Sequence, residues 1–305
     1  MPLHLDYLFD DPRLMVVCLL NVFINLLTLT TNAARVSGAV TKRVATALSL
    51  FNVFQVSFRL LNMIYAPLMA SIVDKLAGQR NPAVLVFKFV FWEFTYFDAQ
   101  ATTQANLDII LIKLRFIVFS AALGSAIGFL LLPTFIEIYK DGIKAMERHG
   151  SIPNVVFAFM TRLSYWKALM KCIRKPSLLG VNPLNIKVIP KTFLVFNMIG
   201  VSIWTIGVIA SIYASVLSPD MVRTSIHLSG IINGIGTVCL FVLVEPVSSL
   251  LVDQVASGKR PVAHVKIMVI WLAVGSIVGN LLGVVLLAPA SAYILWMSKL
   301  IGQFF

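Results

Sequence analysis

Charge is scarce in this chain of 305 residues: Asp, Glu, Lys and Arg make up 12% of it, against 59% hydrophobic residues and a mean hydropathy of +0.90. That excludes an ordinary soluble domain, in which charged residues run to about a quarter. Cysteine is as sparse. Cys18 and Cys239 fall in apolar stretches and Cys172 in a basic loop, so neither a disulfide framework nor metal-site spacing emerges. Histidine is confined to His4, His149, His227 and His264, scattered without ligand spacing, so no metal, no cofactor and no enzyme activity is expected. Acids are outnumbered 25 to 13 by Lys and Arg, for a net charge of +12. This excess would suit nucleic acid, but it lies beside apolar stretches without a zinc, helix-turn-helix or aromatic RNA-binding signature, so no nucleic-acid partner is expected. An anionic membrane leaflet accounts for it, with membrane phospholipids as the partner. Met1 to Pro12 lacks a basic leader and carries Asp6, Asp10 and Asp11; with no small-residue cleavage site following, the first apolar stretch is expected to be a retained anchor.

What the chain has in abundance is apolar length. Six stretches can cross the ~30 Å of a bilayer's hydrocarbon: Leu14 to Ala34, Val44 to Val73, Phe116 to Ile138, Phe193 to Leu217, Thr224 to Val252 and Val265 to Met297. The fold class expected is all-α, a polytopic membrane protein of about six transmembrane helices. Basic residues divide unevenly between the two sets of loops. The loops after spans one, three and five hold 16 Lys and Arg and four acids, the opposite side eight of each, with Arg59 and Glu245 left in the membrane. By the positive-inside rule the basic side is cytoplasmic and both termini are outside. Val84 to Phe94, apolar but broken by Lys88 and Glu93, is too short to span and reads as interfacial or re-entrant. In Asn154 to Lys175, apolar Val155, Phe159, Leu163, Trp166, Met170 and Ile173 alternate with five cations, as in a basic amphipathic helix on the membrane surface.

Within span two, Ser49, Asn52, Gln55, Arg59 and Asn62 recur every three or four residues and so share one helical face. An arginine facing lipid at that depth would cost about 2.5 to 3.5 kcal/mol on insertion scales, so the stripe is expected to face protein or a wet cavity. Two readings stand: a polar path for something anionic, or a packing arginine paired with a carboxylate. Span one carries a second polar face of Asn21, Asn25, Thr28 and Asn32, and span five offers Asn233, Thr237 and Glu245. Glu245 precedes Pro246, whose ring bends a helix and whose missing N–H frees a carbonyl. Arg35, Lys42 and Arg43 sit where an anion would enter from the basic side.

The chain also echoes itself. Pro67 with Asp74 matches Pro246 with Asp253, and Gly78-Gln79-Arg80 parallels Gly258-Lys259-Arg260. Arg115 and Gly124-Ser125-Ala126-Ile127-Gly128 likewise echo Lys266 and Gly275-Ser276-Ile277-Val278-Gly279. The order suggests two three-span halves, residues 1–138 and 192–305, joined by a basic amphipathic linker, 139–191. An odd number of spans per half makes these an inverted repeat of the kind found in transporters. Ser120, Gly124 and Gly128, and Gly275, Gly279 and Gly283, form small-residue ridges that allow close helix approach.

Arg35 to Ala45, then Ser49-Leu50-Phe51-Asn52, Arg59-Leu60-Leu61-Asn62, Pro67-Leu68 and Leu131-Leu132-Pro133-Thr134-Phe135, resemble the Amj-type lipid II flippases of bacteria. The resemblance implies a protein of the bacterial cytoplasmic membrane. It would carry undecaprenyl-pyrophosphate-linked peptidoglycan precursor, lipid II, from the inner to the outer leaflet. Arg59 would then neutralise the pyrophosphate, with Asn52, Gln55 and Asn62, and the neighbouring Asn25, Arg35, Arg43 and Glu245, along the head group's route. The rival reading is a secondary transporter for a small anionic solute, which the buried arginine and inverted repeat suit equally.

The charge division makes the topology testable. Single cysteines at Asp6 and at Lys144 or Lys259, in a cysteine-free background, should react with an impermeant thiol reagent from opposite sides of the membrane. Labelling of all three from one side would overturn the six-span count.

Overall fold

The computed structural model describes residues 11–78, 99–185 and 188–304, so the expectation for Val84 to Phe94 falls outside the described residues. Among the described residues there is helix and no strand. The elements are α1 (Pro12–Thr30), α2 (Asn32–Thr41), α3 (Val44–Gly78), α4 (Ala99–His149), α5 (Ile152–Thr161), α6 (Leu163–Lys171), α7 (Lys191–Leu217), α8 (Val222–His227), α9 (Ser229–Thr237), α10 (Glu245–Ala256) and α11 (Val262–Phe304). Among the described residues six spans are long and apolar enough to cross a membrane: Pro12–Thr41, Val44–Asp74, Leu107–His149, Lys191–Leu217, Pro219–Ala256 and Val262–Phe304.

Local chemistry sets where these helices start, bend and stop. Asp11 caps α1 by accepting from the Arg13 N–H at 3.1 Å, with Pro12 supplying a helical φ at no hydrogen-bond cost. The threonines Thr28, Thr30 and Thr31 bond back to the carbonyls of Ile24, Leu27 and Thr28, and the first span breaks into α1 and α2 at that point. Lys42 ends α2 in the left-handed region (φ 57°), and the Arg43 N–H reaches back to the Gly38 carbonyl at 3.1 Å. In span five a wide π turn, Val238–Val244, precedes Pro246, and the Glu245 N–H donates to the Leu240 carbonyl five residues back.

Two departures from the sequence reading concern span three and the linker. Span three runs from Leu107, well before Phe116, because Lys113 and Arg115 lie inside α4 and Lys113 is buried there. At 1.5 Å per residue, the span is roughly twice the length hydrocarbon requires, and its last turns project beyond Tyr139 with Lys140, Asp141, Lys144, Glu147 and Arg148. The amphipathic segment is two helices, α5 and α6, broken at Arg162 (φ −115°, ψ 113°). Phe157, Trp166, Met170 and Ile173 stand exposed along it, as suits a segment lying on a membrane surface. Cys172 is buried against α4 and donates to Asp141 at 3.4 Å; burial, reinforced by that carboxylate, pushes its thiol pKa up.

Without a hydrophobic drive between helices in lipid, association depends on close packing and interhelical hydrogen bonds. Here α1 lies on α4, α7 lies on α11, and α4 and α11 pack against each other. A Cβ at Gly124 would sit 2.2 Å from the Val22 carbonyl oxygen, and one at Gly279 2.6 Å from that of Met198. Beside each glycine an asparagine crosses the same interface: Asn21 donates to the Ile117 carbonyl at 2.7 Å, and Asn197 to that of Leu272 at 3.1 Å. Where the sequence pairs Gly124 with Gly275, the like approaches in the two interfaces are thus made by Gly124 and Gly279. The residues next to them, Ser125 and Asn280, meet: Asn280 donates to the Ser125 hydroxyl at 2.9 Å and accepts from Thr205 at 2.6 Å. Two apolar clusters cover opposite ends of the bundle, one around Leu14, Met69, Ile117 and Ile209, the other around Ala33, Leu132, Phe193 and Met268.

Gly124→Val should lower the thermal midpoint of the purified protein by an amount equivalent to at least ~1 to 3 kcal/mol, because the α1 backbone must be displaced. Gly230→Ala, where an added Cβ meets nothing within 4 Å, should leave the midpoint unchanged or raise it. Equal effects would mean that the α1–α4 approach is not the constraint.

Candidate functional site

The span-two stripe lies beside the packed face of α3, not within it. The buried side of that helix is Ala47, Phe58, Tyr65, Met69 and Ile72, at steps of three, four and seven or more that keep one phase. Asn52 and Asn62 are exposed, Gln55 is half-buried, and none of the three side chains makes a hydrogen bond with another described residue. Arg59 belongs to the same stretch of α3, and its side chain lies outside the described residues. On the far side of the helix Val56, Leu60, Met63 and Ile64 are exposed and apolar, as in a surface that meets lipid. The polar stripe therefore runs along the border between packed protein and that lipid-facing surface.

Span one presents the second polar line, and its members are satisfied largely by their own helix. Asn25 donates to the carbonyl and side-chain oxygens of Asn21, both at 2.9 Å; Asn32 donates to the Leu29 carbonyl at 3.1 Å and accepts from Arg35 at 3.0 Å. The positions 21, 25, 28, 32 and 35 keep one helical phase. Depth changes along it, from buried Asn21 through half-buried Asn25 and Asn32 to exposed Thr28.

That line ends on an ion pair. The Arg35 guanidinium meets the Glu245 carboxylate at 2.5 Å, with side-chain exposures of 13% and 36%, so the pair joins α2 to the first turn of α10. Glu245 comes within reach because the π turn and Pro246 set the phase at which α10 begins. Arg35 and Glu245, expected along a route, are thus brought together. Arg43 instead pairs with Glu147 at 2.7 Å on the projecting end of α4, where both side chains are half-exposed and the pair contributes little.

Sequence reasoning missed three features. A third span beginning at Phe116 leaves Lys113 outside it, whereas the structure buries Lys113 within α4. Arg115, beside it, keeps its Nε buried with no hydrogen-bond partner among the described residues. The Thr205–Asn280–Ser125 chain across spans four, six and three left no local signal, since its members are 75 and 155 residues apart. Among the described residues no group of His, Cys, Asp or Glu could hold a metal ion.

Comparison with known proteins gives a consistent result. The family profile described as "Amj: Alternate to MurJ" matches residues 20–298. The chain is similar to the protein named Lipid II flippase Amj of Bacillus subtilis (strain 168): 32% identical over 267 residues, covering 88% of this chain and 90% of that protein. No solved structure matches the chain significantly.

A double-mutant cycle measures the inter-span ion pair. Glu245→Ala and Arg35→Ala should each destabilise the purified protein, and the exchange Arg35→Glu with Glu245→Arg should recover much of the loss. A coupling of about 1 to 3 kcal/mol is expected, between the values for exposed and for buried pairs. Strictly additive thermal shifts would show that the two charges do not stabilise each other.

Proposed function

The chain belongs to the Amj family, the alternates to MurJ, and on that premise we propose that it is a lipid II flippase of the bacterial cytoplasmic membrane. It is a multi-pass membrane protein and a translocase, not an enzyme. Its substrate is undecaprenyl-pyrophosphate-linked peptidoglycan precursor, carried from the inner to the outer leaflet. The cytoplasmic side is the basic end of the bundle, with both termini outside.

The single observation that carries the mechanism is the sideways exposure of the α3 stripe. A small soluble solute needs a site enclosed by helices, whereas a lipid's head group must follow a polar surface while its isoprenoid tail stays in hydrocarbon. Asn52, Gln55 and Asn62 sit at such a border with their hydrogen-bonding groups unspent, which favours the lipid over the small anion. Arg59, between Gln55 and Asn62 in sequence, supplies the charge that lets a pyrophosphate pass mid-membrane, its planar fork gripping two oxygens at once. The Arg35–Glu245 pair closes the cytoplasmic end of the span-one line. The like packing of α1 on α4 and α7 on α11 supports two halves related by an axis through Ser125 and Asn280, moving against each other. An inside-negative potential assists an outward-moving anion by about 2.3 kcal/mol per charge per 100 mV.

In cells depleted of their main flippase, expression of this protein should restore growth and surface exposure of the lipid-linked precursor. Arg59→Ala should abolish that rescue at an unchanged level of membrane protein, and Arg59→Lys should recover part of it. Rescue by neither wild type nor variants would refute the function; full rescue by the alanine variant would remove Arg59 from it.

A further inference from the structure

The linker after α6 is strapped across the cytoplasmic ends of spans three and six. Thr134 accepts from the Arg174 N–H at 2.9 Å, Lys266 donates to the Leu179 carbonyl at 3.0 Å, and Trp271 donates to the Pro183 carbonyl at 2.9 Å. Beneath the strap is a cavity of about 500 Å³ between the ends of spans one, three and six, within the range of small-molecule sites. Four cations line it, Lys140, Arg174, Lys175 and Lys266, against one carboxylate, Glu137, which Lys140 already engages at 2.8 Å.

The remaining cations hold donors in reserve. Lys266 spends one N–H on a carbonyl and Arg174 one on the Lys171 carbonyl at 3.2 Å, while Lys175 is exposed and makes no side-chain bond with another described residue. A lysine carries three donors and an arginine five. The lining also includes apolar Val36, Val40, Ile136 and Val262, and Val40 is 40% exposed. A cavity lined by both cations and apolar side chains, with the exposed Val40 at its edge, fits the head of an amphiphile: phosphate oxygens on the cations, the first carbons of a tail on the valines.

Resting on the flippase reading, we infer that this cavity is the cytoplasmic loading site, which takes the pyrophosphate head of an isoprenoid-linked lipid before translocation. It differs from the translocation stripe of α3 and from the entry expected at Arg35 and Arg43, whose charges are occupied by Glu245 and Glu147.

The test is binding of labelled farnesyl pyrophosphate to the full-length protein in phosphatidylcholine nanodiscs. The double variant Lys175→Gln/Lys266→Gln should bind about ten-fold or more weakly, and Lys175→Gln alone, which breaks no bond within the described chain, should show part of that loss. Lys259→Gln/Arg260→Gln removes equal charge outside the cavity and should bind as wild type. Equal affinity in all four proteins, or equal loss in both double variants, would overturn the site. Competition by phosphatidylglycerol in the disc, or by inorganic pyrophosphate as effectively as by the unlabelled probe, would overturn it in favour of bulk lipid or a free anion. Binding is read without transport, so wild-type rescue with an unaffected cavity variant would reject the site and leave the flippase reading standing, while probe loss without rescue would do the reverse.

Discussion

Backbone contact between helices at Gly124 and Gly279 is the constraint from which the rest of this architecture follows. In water, two apolar helices are driven together by burial; in lipid they gain almost nothing from it, and a helix pair persists through dispersion at short range and the hydrogen bonds that short range permits. Each glycine brings a neighbouring carbonyl so near that no side chain could intervene. That approach in turn sets the distance at which Asn21 and Asn197 reach carbonyls of the facing helix. With α1 on α4 and α7 on α11 fixed in this way, the α4–α11 interface carries the Asn280–Ser125 hydrogen bond, and Thr205 of α7 donates to the same asparagine. Spans two and five are held at the periphery, where polar side chains stay uncovered.

The polar content of the bundle is divided by whether it is satisfied. Inside, Asn21, Asn197, Asn280 and most of the buried serines and threonines are hydrogen-bonded to backbone or to one another, as a medium without water requires, while Ser202 Oγ and Asn233 Oδ1 meet no partner among the described residues. On α3 the side chains of Asn52, Gln55 and Asn62 are likewise without one. The cost of an open amide at a lipid border is tolerable only if something polar visits it, and a lipid head group is a polar object tethered to an apolar one. Cation placement follows the same division: Arg35 and Arg43 are neutralised by acids, while Lys175, Arg174 and Lys266 surround empty volume under the linker.

Much of this was legible because hydrocarbon imposes a length on any helix that crosses it. The six spans, the small-residue ridges and the polar phase of α3 all depend on local spacing, which sequence carries directly. The beginning of span three was not legible in that way, since Lys113 and Arg115 interrupt its hydropathy although the chain stays helical and buries Lys113. Arg162 breaks the linker helix by adopting an extended backbone, which its flanking alternation of apolar and basic residues did not signal. Arg35 and Glu245 lie 210 residues apart, and nothing local tells either which charge it will meet. The loading cavity is assembled from spans one, three and six and the linker, so its cations read as four unrelated loop charges until the chain is folded.

The wide turn ahead of Glu245 sets the rotational phase of the helix that follows it. Were Val238–Val244 wound at 3.6 residues per turn, the residues after it would rotate by about 100° for each residue taken up, and the carboxylate would swing to another side of its helix. Span five is therefore geared: its segments before and after the wide turn share an axis but not a common angular origin, and the offset between them is what brings the acid opposite the arginine of span one.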